Sequence, residues 1–294
     1  MSAQRNTSTP KRFFPFLAIA CCLNFFITGQ LVADTQPSAS AKDLVQQVVN
    51  NELEANRNDH SHWMYVDSYR SPEKNLVKLV IQTKEGTVSK TIRLNGSPLT
   101  SAEKQADQAK MESVVNDPSV RAKQKKNSDH DNQQVISLMK MLPDGFIWTQ
   151  TGESNGEVTL SYKPNPAFQP PTYASRVFAA MAGTMVVDVK QKRLKVFSGK
   201  LIREVDFGWG LLGKIQQGGT FHVIHTEVEP GKWEITETHI HINGRILFFK
   251  SLVSQQEDEI DSHYKLTPPG LTLQQAAQML TDGTVAKELG VQTE

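Results

Sequence analysis

The chain has 294 residues, of which 38% are hydrophobic, and its 32 basic residues nearly balance 31 acidic ones, for a net charge of +1. This composition supports the core of one large β-rich domain or two small ones, and it excludes a strongly basic surface for nucleic acid. Both cysteines, Cys21 and Cys22, lie in an N-terminal apolar run. The rest of the chain therefore has no thiol for a disulfide, a nucleophile or a metal ligand.

Residues 1–33 have the pattern of a secretory signal peptide. Three basic residues precede the apolar run FFPFLAIACCLNFFITG, and a small residue, Ala33, precedes a polar stretch. We expect cleavage after Ala33 and an exported protein, periplasmic or secreted, that contacts a membrane only through this segment or transiently. Because the apolar run is long and Leu31 is large for a cleavage site, a membrane tether formed by an uncleaved N-terminal segment is the alternative.

Residues 40–56 predict an amphipathic helix whose apolar side chains recur at helical spacing. Its apolar face consists of Leu44, Val45, Val48, Val49 and Leu53. From Trp63 the apolar period changes to two, which predicts strands in HWMYVDSYR and NLVKLVIQTKEGTVSKTIRLNG, with a turn at KEGT. Residues 101–142 are rich in charged and amide side chains, and we interpret them as an exposed helical hairpin inserted between strands.

After LPDGF the strand pattern returns in FIWTQTG, GEVTLSYKP and GTMVVDVKQKRLKVFSGKL, the last with a turn at KQKR. Further turns are predicted at Pro230-Gly231 and at Asn243-Gly244, and the Asn-Gly pair favours a two-residue hairpin. We therefore predict an α+β fold: a curved, half-barrel-like antiparallel sheet with covering helices in one domain, residues 34–270. A C-terminal helix and tail follow at residues 271–294.

The stretch DFGWGLLGKI, residues 206–215, contains both a G-x-G-x-x-G pattern and most of a phosphate-binding loop. A dinucleotide motif requires a helix directly after its glycines, but Gly218 and Gly219 interrupt any such helix. Ile215 also stands where a hydroxyl would bind magnesium. We predict an apolar loop that links two strands and binds no nucleotide. The candidate residues for lining an apolar ligand site, here and in the following strands, are Trp209, Leu211, Leu212, Trp233, Ile246 and Phe248.

Three histidines form the candidate metal site. If Pro230-Gly231 centres a hairpin turn, His222 pairs with His239 and Thr220 pairs with His241. Paired Cβ atoms lie about 5 Å apart, so three imidazoles could converge on one zinc ion. The alternative is a half-exposed strand that tolerates histidine, in which one bulge would turn His222 away. No spacing indicates a catalytic nucleophile or an acid and base pair, and we expect a cofactor-free protein.

The signal peptide, the amphipathic first helix and the stretches GTMVVDVKQKRLKVFSGKL and GRILFFKSL together resemble exported proteins of the outer-membrane lipoprotein-carrier, or lipoprotein-sorting, type. The segments NELEANRNDHSHWMY, LPDGFIW and ETHIHINGRILFFK also resemble a group of exported bacterial proteins with no assigned activity. The carrier resemblance implies a half-barrel that shelters an acyl chain beneath its helices. No residue role is carried over, and the insertion at 101–142 departs from the smallest carriers.

From these observations we expect an exported, non-catalytic binding or carrier module for a hydrophobic small molecule, an acyl chain or a lipid-modified partner such as a lipoprotein. One alternative is a metal-dependent hydrolase that uses His222, His239 and His241. Another is an envelope interaction scaffold without a ligand. An apolar cavity would favour the first, and metal lost on substitution of His239 would favour the second.

Overall fold

A computed structural model of the chain describes residues 39–207, 213–246 and 251–292. Two compact units are present. Within the described residues, unit 1 is built from 60–135 and 259–292, and unit 2 from 39–59 and 136–258 with the gaps just given. The predicted signal segment lies outside the described residues. No helix in the described ranges is both long and apolar enough to span a membrane.

The helices are α1 (Ala39–Asn58), α2 (Ser101–Asn116), α3 (Pro118–Gly145), α4 (Tyr173–Phe178), α5 (Leu273–Thr281) and α6 (Thr284–Glu288). The strands are β1 (Trp63–Arg70), β2 (Asn75–Thr83), β3 (Gly86–Leu94), β4 (Phe146–Ser154), β5 (Glu157–Pro164), β6 (Met181–Asp188), β7 (Arg193–Leu201), β8 (Val205–Phe207), β9 (Gly213–Ile215), β10 (Thr220–Glu229), β11 (Lys232–Ile246) and β12 (Ser251–Leu266).

The predicted α+β class is confirmed, with antiparallel strands in both units. Unit 1 has the strand order β3-β2-β1-β12, and unit 2 has the order β12-β11-β10-β7-β6-β5-β4. Strand β9 pairs with β11 and with β8. Strand β12 contributes residues to both units.

The core of unit 1 forms where α2, α5 and α6 cover one face of β1, β2 and β3. It consists of Met64, Val66, Leu79, Ile81, Val88, Ile92, Met111, Val114, Leu273, Ala276, Leu280, Val285, Ala286 and Leu289. The two helices expected over residues 101–142 are present, separated by Asp117. Helix α2 is not a fully solvated excursion, because Met111 and Val114 on one of its faces are buried in this core.

In unit 2, α1 contacts β4 and β7 and buries the apolar stripe that the sequence predicts. Val45, Val48 and Val49 are at most 1% exposed, whereas Leu44 and Leu53 are half-buried. The sheet beneath has one buried face and one polar face, because its side chains alternate along each strand. The large aromatic residues of the buried face are Phe146, Trp148, Tyr162, Phe197 and Phe221.

Tyr162 packs against Gly199 on the buried face of this sheet. Gly183 of β6 pairs with Gly199 of β7, and the Tyr162 hydroxyl donates a 3.0 Å hydrogen bond to the carbonyl oxygen of Ser198. A Cβ atom at Gly199 would lie 2.1 Å from that hydroxyl oxygen and 2.5 Å from Phe221 Cε1. Gly199 is therefore required by the close approach of Tyr162 and Phe221.

The two ends of the glycine-rich stretch at residues 206–215 lie in strands β8 and β9. Val205 pairs with Ile215 and Asp206 pairs with Lys214 in the antiparallel β8–β9 pair. After β9 the chain turns at Gly218 and enters β10, so no helix follows Gly213 in this described segment. Residues 208–212, where the sequence predicts an apolar loop, lie outside the described residues.

The predicted hairpin turn at Asn243-Gly244 is wrong. Strand β11 continues through both residues, and Gly244 pairs with Ile215 of β9. A two-residue turn of this type needs positive φ at both positions, which Asn155 (53°) and Gly156 (79°) adopt between β4 and β5. Pairing with β9 instead holds the Asn243-Gly244 segment extended.

Candidate functional site

The β10–β11 hairpin carries the candidate histidines on its polar face. His222 pairs with His239 and Thr220 pairs with His241, which confirms the predicted register. The prediction paired residues outward from the Pro230-Gly231 turn without any bulge, but two bulges are present. One adds Val228 to β10 and the other adds Thr236 to β11. Because one extra residue lies on each strand, the two shifts cancel before the histidines are reached.

His222 and His239 continue a row of polar side chains that crosses the sheet of unit 2. Successive pairings join one residue from each neighbouring strand. The members of this polar row are Thr149, Ser161, Thr184, Ser198, His222 and His239. The hydroxyl oxygens of Thr184 and Ser198 lie 3.0 Å apart. The polar face of this sheet is therefore suited to hydrogen bonding rather than to apolar contact.

At the β11 end of the row, two histidines share one carboxylate. Nδ1 of His239 lies 2.7 Å from Oδ1 of Asp258, and Nε2 of His241 lies 3.0 Å from the same oxygen. Nε2 of His239 also lies 3.3 Å from Oε2 of Glu237. Side-chain exposure is 29% for His239, 47% for His241 and 27% for Asp258. This cluster, His239, His241, Asp258 and Glu237, is the candidate site.

The carboxylates favour a protonated His239. Burial alone would lower the pKa of His239, but hydrogen bonds and charge from Asp258 and Glu237 outweigh burial and raise it above its usual value. Burial likewise opposes ionisation of Asp258, yet the two histidines hold the pKa of its carboxyl below the usual value. When protonated, His239 can donate one ring N–H to each of these two carboxylates.

The predicted zinc ligands are only partly grouped. His222 and His239 are neighbours, with ring centroids 6.0 Å apart and planes tilted by 35°. Both ring nitrogens of His239 already face carboxylates, so a metal ion would have to compete for them. Asp258 and Glu237 supply further ligand types for such an ion. A zinc site at His222, His239 and His241 stays a prediction.

A fourth histidine lies on the buried face, as the predicted register implied. Burial lowers the pKa of His225, even though the nearby charge of Glu52 opposes that effect. Glu52 comes from α1 and accepts hydrogen bonds from the guanidinium of Arg193 at 2.8 and 3.0 Å. Glu52 also accepts a 2.9 Å hydrogen bond from the backbone N–H of Leu194. This polar group anchors the C-terminal half of α1.

The six candidate ligand-lining residues fall into four outside and two inside the described residues. The segments that contain Trp209, Leu211, Leu212 and Phe248 lie outside the described residues. The backbone of Ile246 pairs with Gly213 in the β9–β11 ladder.

Trp233, the remaining candidate, is half-buried at the turn end of β11. Its Nε1 donates a 3.1 Å hydrogen bond to Gln191 Oε1, and the Arg193 guanidinium carbon lies 5.6 Å from the ring centroid. Trp233 thus packs beside the polar anchor of α1.

Sequence analysis did not identify Asp258. It belongs to the acidic run in QQEDEIDSHYK, and its place beside His239 depends on how β12 aligns with β11. The predicted Asn243-Gly244 hairpin would have set a different alignment of the two strands, and that hairpin does not form. A run of acids following a strand with alternating histidines was the one available signal.

No protein-family model and no curated protein matches the chain. Among solved structures, the chain is similar to a DUF1329 family protein from Desulfovibrio piger, with 11% identity and a TM-score of 0.28. The match covers 85% of this chain and 100% of the other. A similarity this distant does not define a function. Fold and site together define a β-sheet-rich α+β protein.

Proposed function

We propose that this chain is an exported, non-catalytic carrier that holds a hydrophobic molecule or an acyl chain against the buried face of the unit 2 sheet, beneath α1. The signal-peptide pattern and the carrier resemblance support the proposal from the sequence. The main structural support is a layer of aromatic side chains covered by one amphipathic helix.

The aromatic layer is continuous from β4 to β10. Neighbouring ring centroids are separated by 4.8 Å between Phe146 and Tyr162 and by 5.0 Å between Phe197 and Phe221. Phe178, from the short helix α4, packs at 5.4 Å from Phe146 and 5.8 Å from Phe197. An apolar ligand that entered this layer would exchange water for aromatic contact, which is the main driving force for binding acyl chains.

Helix α1 is suited to act as a movable cover. Its middle presents Val45, Val48 and Val49 to unit 2, and polar contacts tie both of its ends. Lys42 pairs with Asp144 at 2.5 Å near the N-terminal end, and Glu52 pairs with Arg193 near the other end. Tilting of α1 away from the sheet would break these contacts but would leave the hydrogen bonds between strands intact.

The proposal is tested first by native mass spectrometry of residues 34–294, exported in a bacterial host and purified without detergent or chelator. A heterogeneous added mass in the range of fatty acids or phospholipids supports it. A bare protein mass that persists after incubation with stearate would overturn it and leave an interaction scaffold as the better hypothesis.

The position of the ligand can be tested separately with a dibrominated stearate, since bromine quenches indole fluorescence at near-contact distance. Trp148 lies in the aromatic layer and is 1% exposed. We expect the brominated stearate to quench the tryptophan fluorescence of the wild type and plain stearate to leave it unchanged. Quenching should be markedly weaker in Trp148→Phe, although mass spectrometry still shows bound lipid. Equal quenching in Trp148→Phe would place the ligand elsewhere.

A second candidate function, a metal-dependent hydrolase, is favoured by one observation: His239 and His241 converge on Asp258. We expect zinc binding, if present, to weaken as the pH falls, because protons compete for His239. Zinc titration of the wild type and of His241→Gln, monitored by native mass spectrometry, tests it. Equal zinc retention by the two proteins argues against a site here.

A further inference from the structure

A buried carboxylate in unit 1 has an incompletely satisfied environment. Asp67 of β1 is 1% exposed and pairs in register with Lys78 of β2. Lys78 Nζ lies 2.6 Å from Asp67 Oδ2. The other oxygen, Asp67 Oδ1, is fully buried and has no hydrogen-bond partner. A buried acceptor without a partner costs free energy, so its presence calls for a physical explanation.

Two further carboxylates lie beside Asp67. Glu259 and Asp261 are two residues apart on β12 and therefore point to the same side of that strand. One carboxylate oxygen from each of Asp67, Glu259 and Asp261 lies within 4.8 Å of the other two. Glu259 and Asp261 are half-buried. Three carboxylates therefore meet in one small group, where like charges repel when all three are ionised.

The neighbouring side chains restrict solvent on one side of the group. Tyr264 donates a 3.3 Å hydrogen bond to Asp261 Oδ2, and its ring stacks on Tyr65 at 5.0 Å. Trp63 meets Tyr264 edge-on at 5.7 Å. His263, with φ of 57°, interrupts the regular alternation of β12 between Asp261 and Tyr264. Since low-dielectric surroundings strengthen interactions between charges, a cation placed among these three carboxylates would be strongly attracted.

We propose that Asp67, Glu259 and Asp261 bind a hard divalent cation, calcium foremost. Calcium takes oxygen ligands at about 2.3–2.6 Å, so oxygens bound to one ion lie up to about 5 Å apart, which matches this group. The all-oxygen set favours calcium, magnesium or manganese over zinc. A divalent ion would reduce the repulsion among the three carboxylates and give the buried Asp67 carboxylate a further partner. This site is independent of the proposed carrier function.

The test uses residues 34–294 treated with chelator, desalted and titrated with calcium chloride in a calorimeter. We expect one calcium per chain, a rise in melting temperature with calcium, and a change in near-ultraviolet circular dichroism from Trp63 and Tyr264. Asp261→Asn and Glu259→Gln should each weaken binding by about tenfold or more. Absence of binding of calcium, magnesium and manganese to the wild type would overturn the proposal.

Two matched controls separate this site from general effects of charge. Glu73→Gln and Asp129→Asn remove exposed carboxylates of unit 1 and should leave calcium affinity unchanged. In chelator, Asp261→Asn should be at least as stable as the wild type because repulsion falls, yet it should gain little stability from calcium. Calcium binding of equal strength in the site variants and the controls would show a nonspecific ion and refute the site.

Discussion

Glu52 of α1 and Arg193 of β7 form a two-point ion pair, with 2.8 Å from Nε to Oε1 and 3.0 Å from a terminal nitrogen to Oε2. Only 7% of the glutamate side chain and 12% of the arginine side chain are exposed. Two parallel hydrogen bonds fix direction as well as distance. This pair therefore sets where the C-terminal half of α1 rests on unit 2.

Glu52→Gln should destabilise the protein strongly, because it leaves the charge of Arg193 buried without a counter-charge. We expect a loss of about 3 kcal/mol in the free energy of unfolding, measured by urea denaturation. Amide hydrogen exchange in α1 should also accelerate. Asp129→Asn, which breaks the exposed Lys125–Asp129 pair, serves as the control and should cost less than about 0.5 kcal/mol. Similar losses in the two variants would contradict the anchoring role.

The His239–Asp258 pair should give stability a bell-shaped pH dependence. The pKa of His239 is raised in the folded state, so it contributes stability at pH values below its pKa in the unfolded state, 6.5. This stability is lost as the pH rises through the pKa of the folded state. The lowered pKa of Asp258 contributes above its unfolded value of 3.8, and this is lost as the pH falls through the folded pKa. The pair should therefore stabilise most between pH 3.8 and 6.5.

Urea denaturation of the wild type, His239→Gln, Asp258→Asn and the double variant across this pH range tests that expectation. The coupling free energy should reach about 0.2–1 kcal/mol inside the window, as for other partly exposed pairs, and shrink on both sides. A coupling free energy that does not change with pH would contradict the expectation that the two side chains stabilise each other's charged forms.

Gly199→Ala should disturb the aromatic layer of unit 2. Its new methyl group would collide with the Tyr162 hydroxyl and with Phe221, and overpacking of this kind costs about 1–3 kcal/mol. Gly152→Ala is the matched control, since the nearest atom to its Cβ is 3.9 Å away. Thermal unfolding compares the two. Adding Tyr162→Phe to Gly199→Ala should cost less than the sum of the single changes, because one collision is relieved.

Thr272→Ala should loosen the C-terminal helices of unit 1. Thr272 and Gln275 form a reciprocal cap in which the threonine hydroxyl accepts from the Gln275 backbone N–H at 3.2 Å. Loss of a cap costs about 1 kcal/mol. Thr281→Ala, at the other end of α5, removes a hydroxyl that bonds back to the Ala277 carbonyl and should cost less. Equal losses in the free energy of unfolding of the two variants, measured by urea denaturation, would show that capping does not position α5.

Local patterns in the sequence predicted much of unit 2. The stripe in α1 follows from helical spacing, and the His222–His239 pairing follows from the Pro230-Gly231 turn. The turn between β6 and β7 follows from the polar KQKR segment, since Asp188 pairs with Arg193. Each of these features depends on residues that are close in the chain, where turn and period signals are informative.

Features that depend on distant segments were not predicted. The Asn243-Gly244 turn signal was overridden because β9 pairs with this stretch, and pairing of an extended strand outweighs a local turn preference. Asp258 reaches His239 only through the alignment of β12. Asp67 meets Glu259 and Asp261 across almost two hundred residues, and no periodicity marks such a meeting.

The contact of Tyr162 with Gly199 also has a consequence for how this fold can diverge. A side chain larger than hydrogen at residue 199 requires a smaller or reoriented ring at 162, and Gly183 is confined by the backbone of residues 198 and 199. Substitutions at residues 162 and 199 should therefore arise together in any lineage that keeps this sheet, whereas residue 183 should stay glycine. Tyr-Gly-Gly on three successive strands offers a fingerprint for remote homologues after overall sequence similarity has been lost.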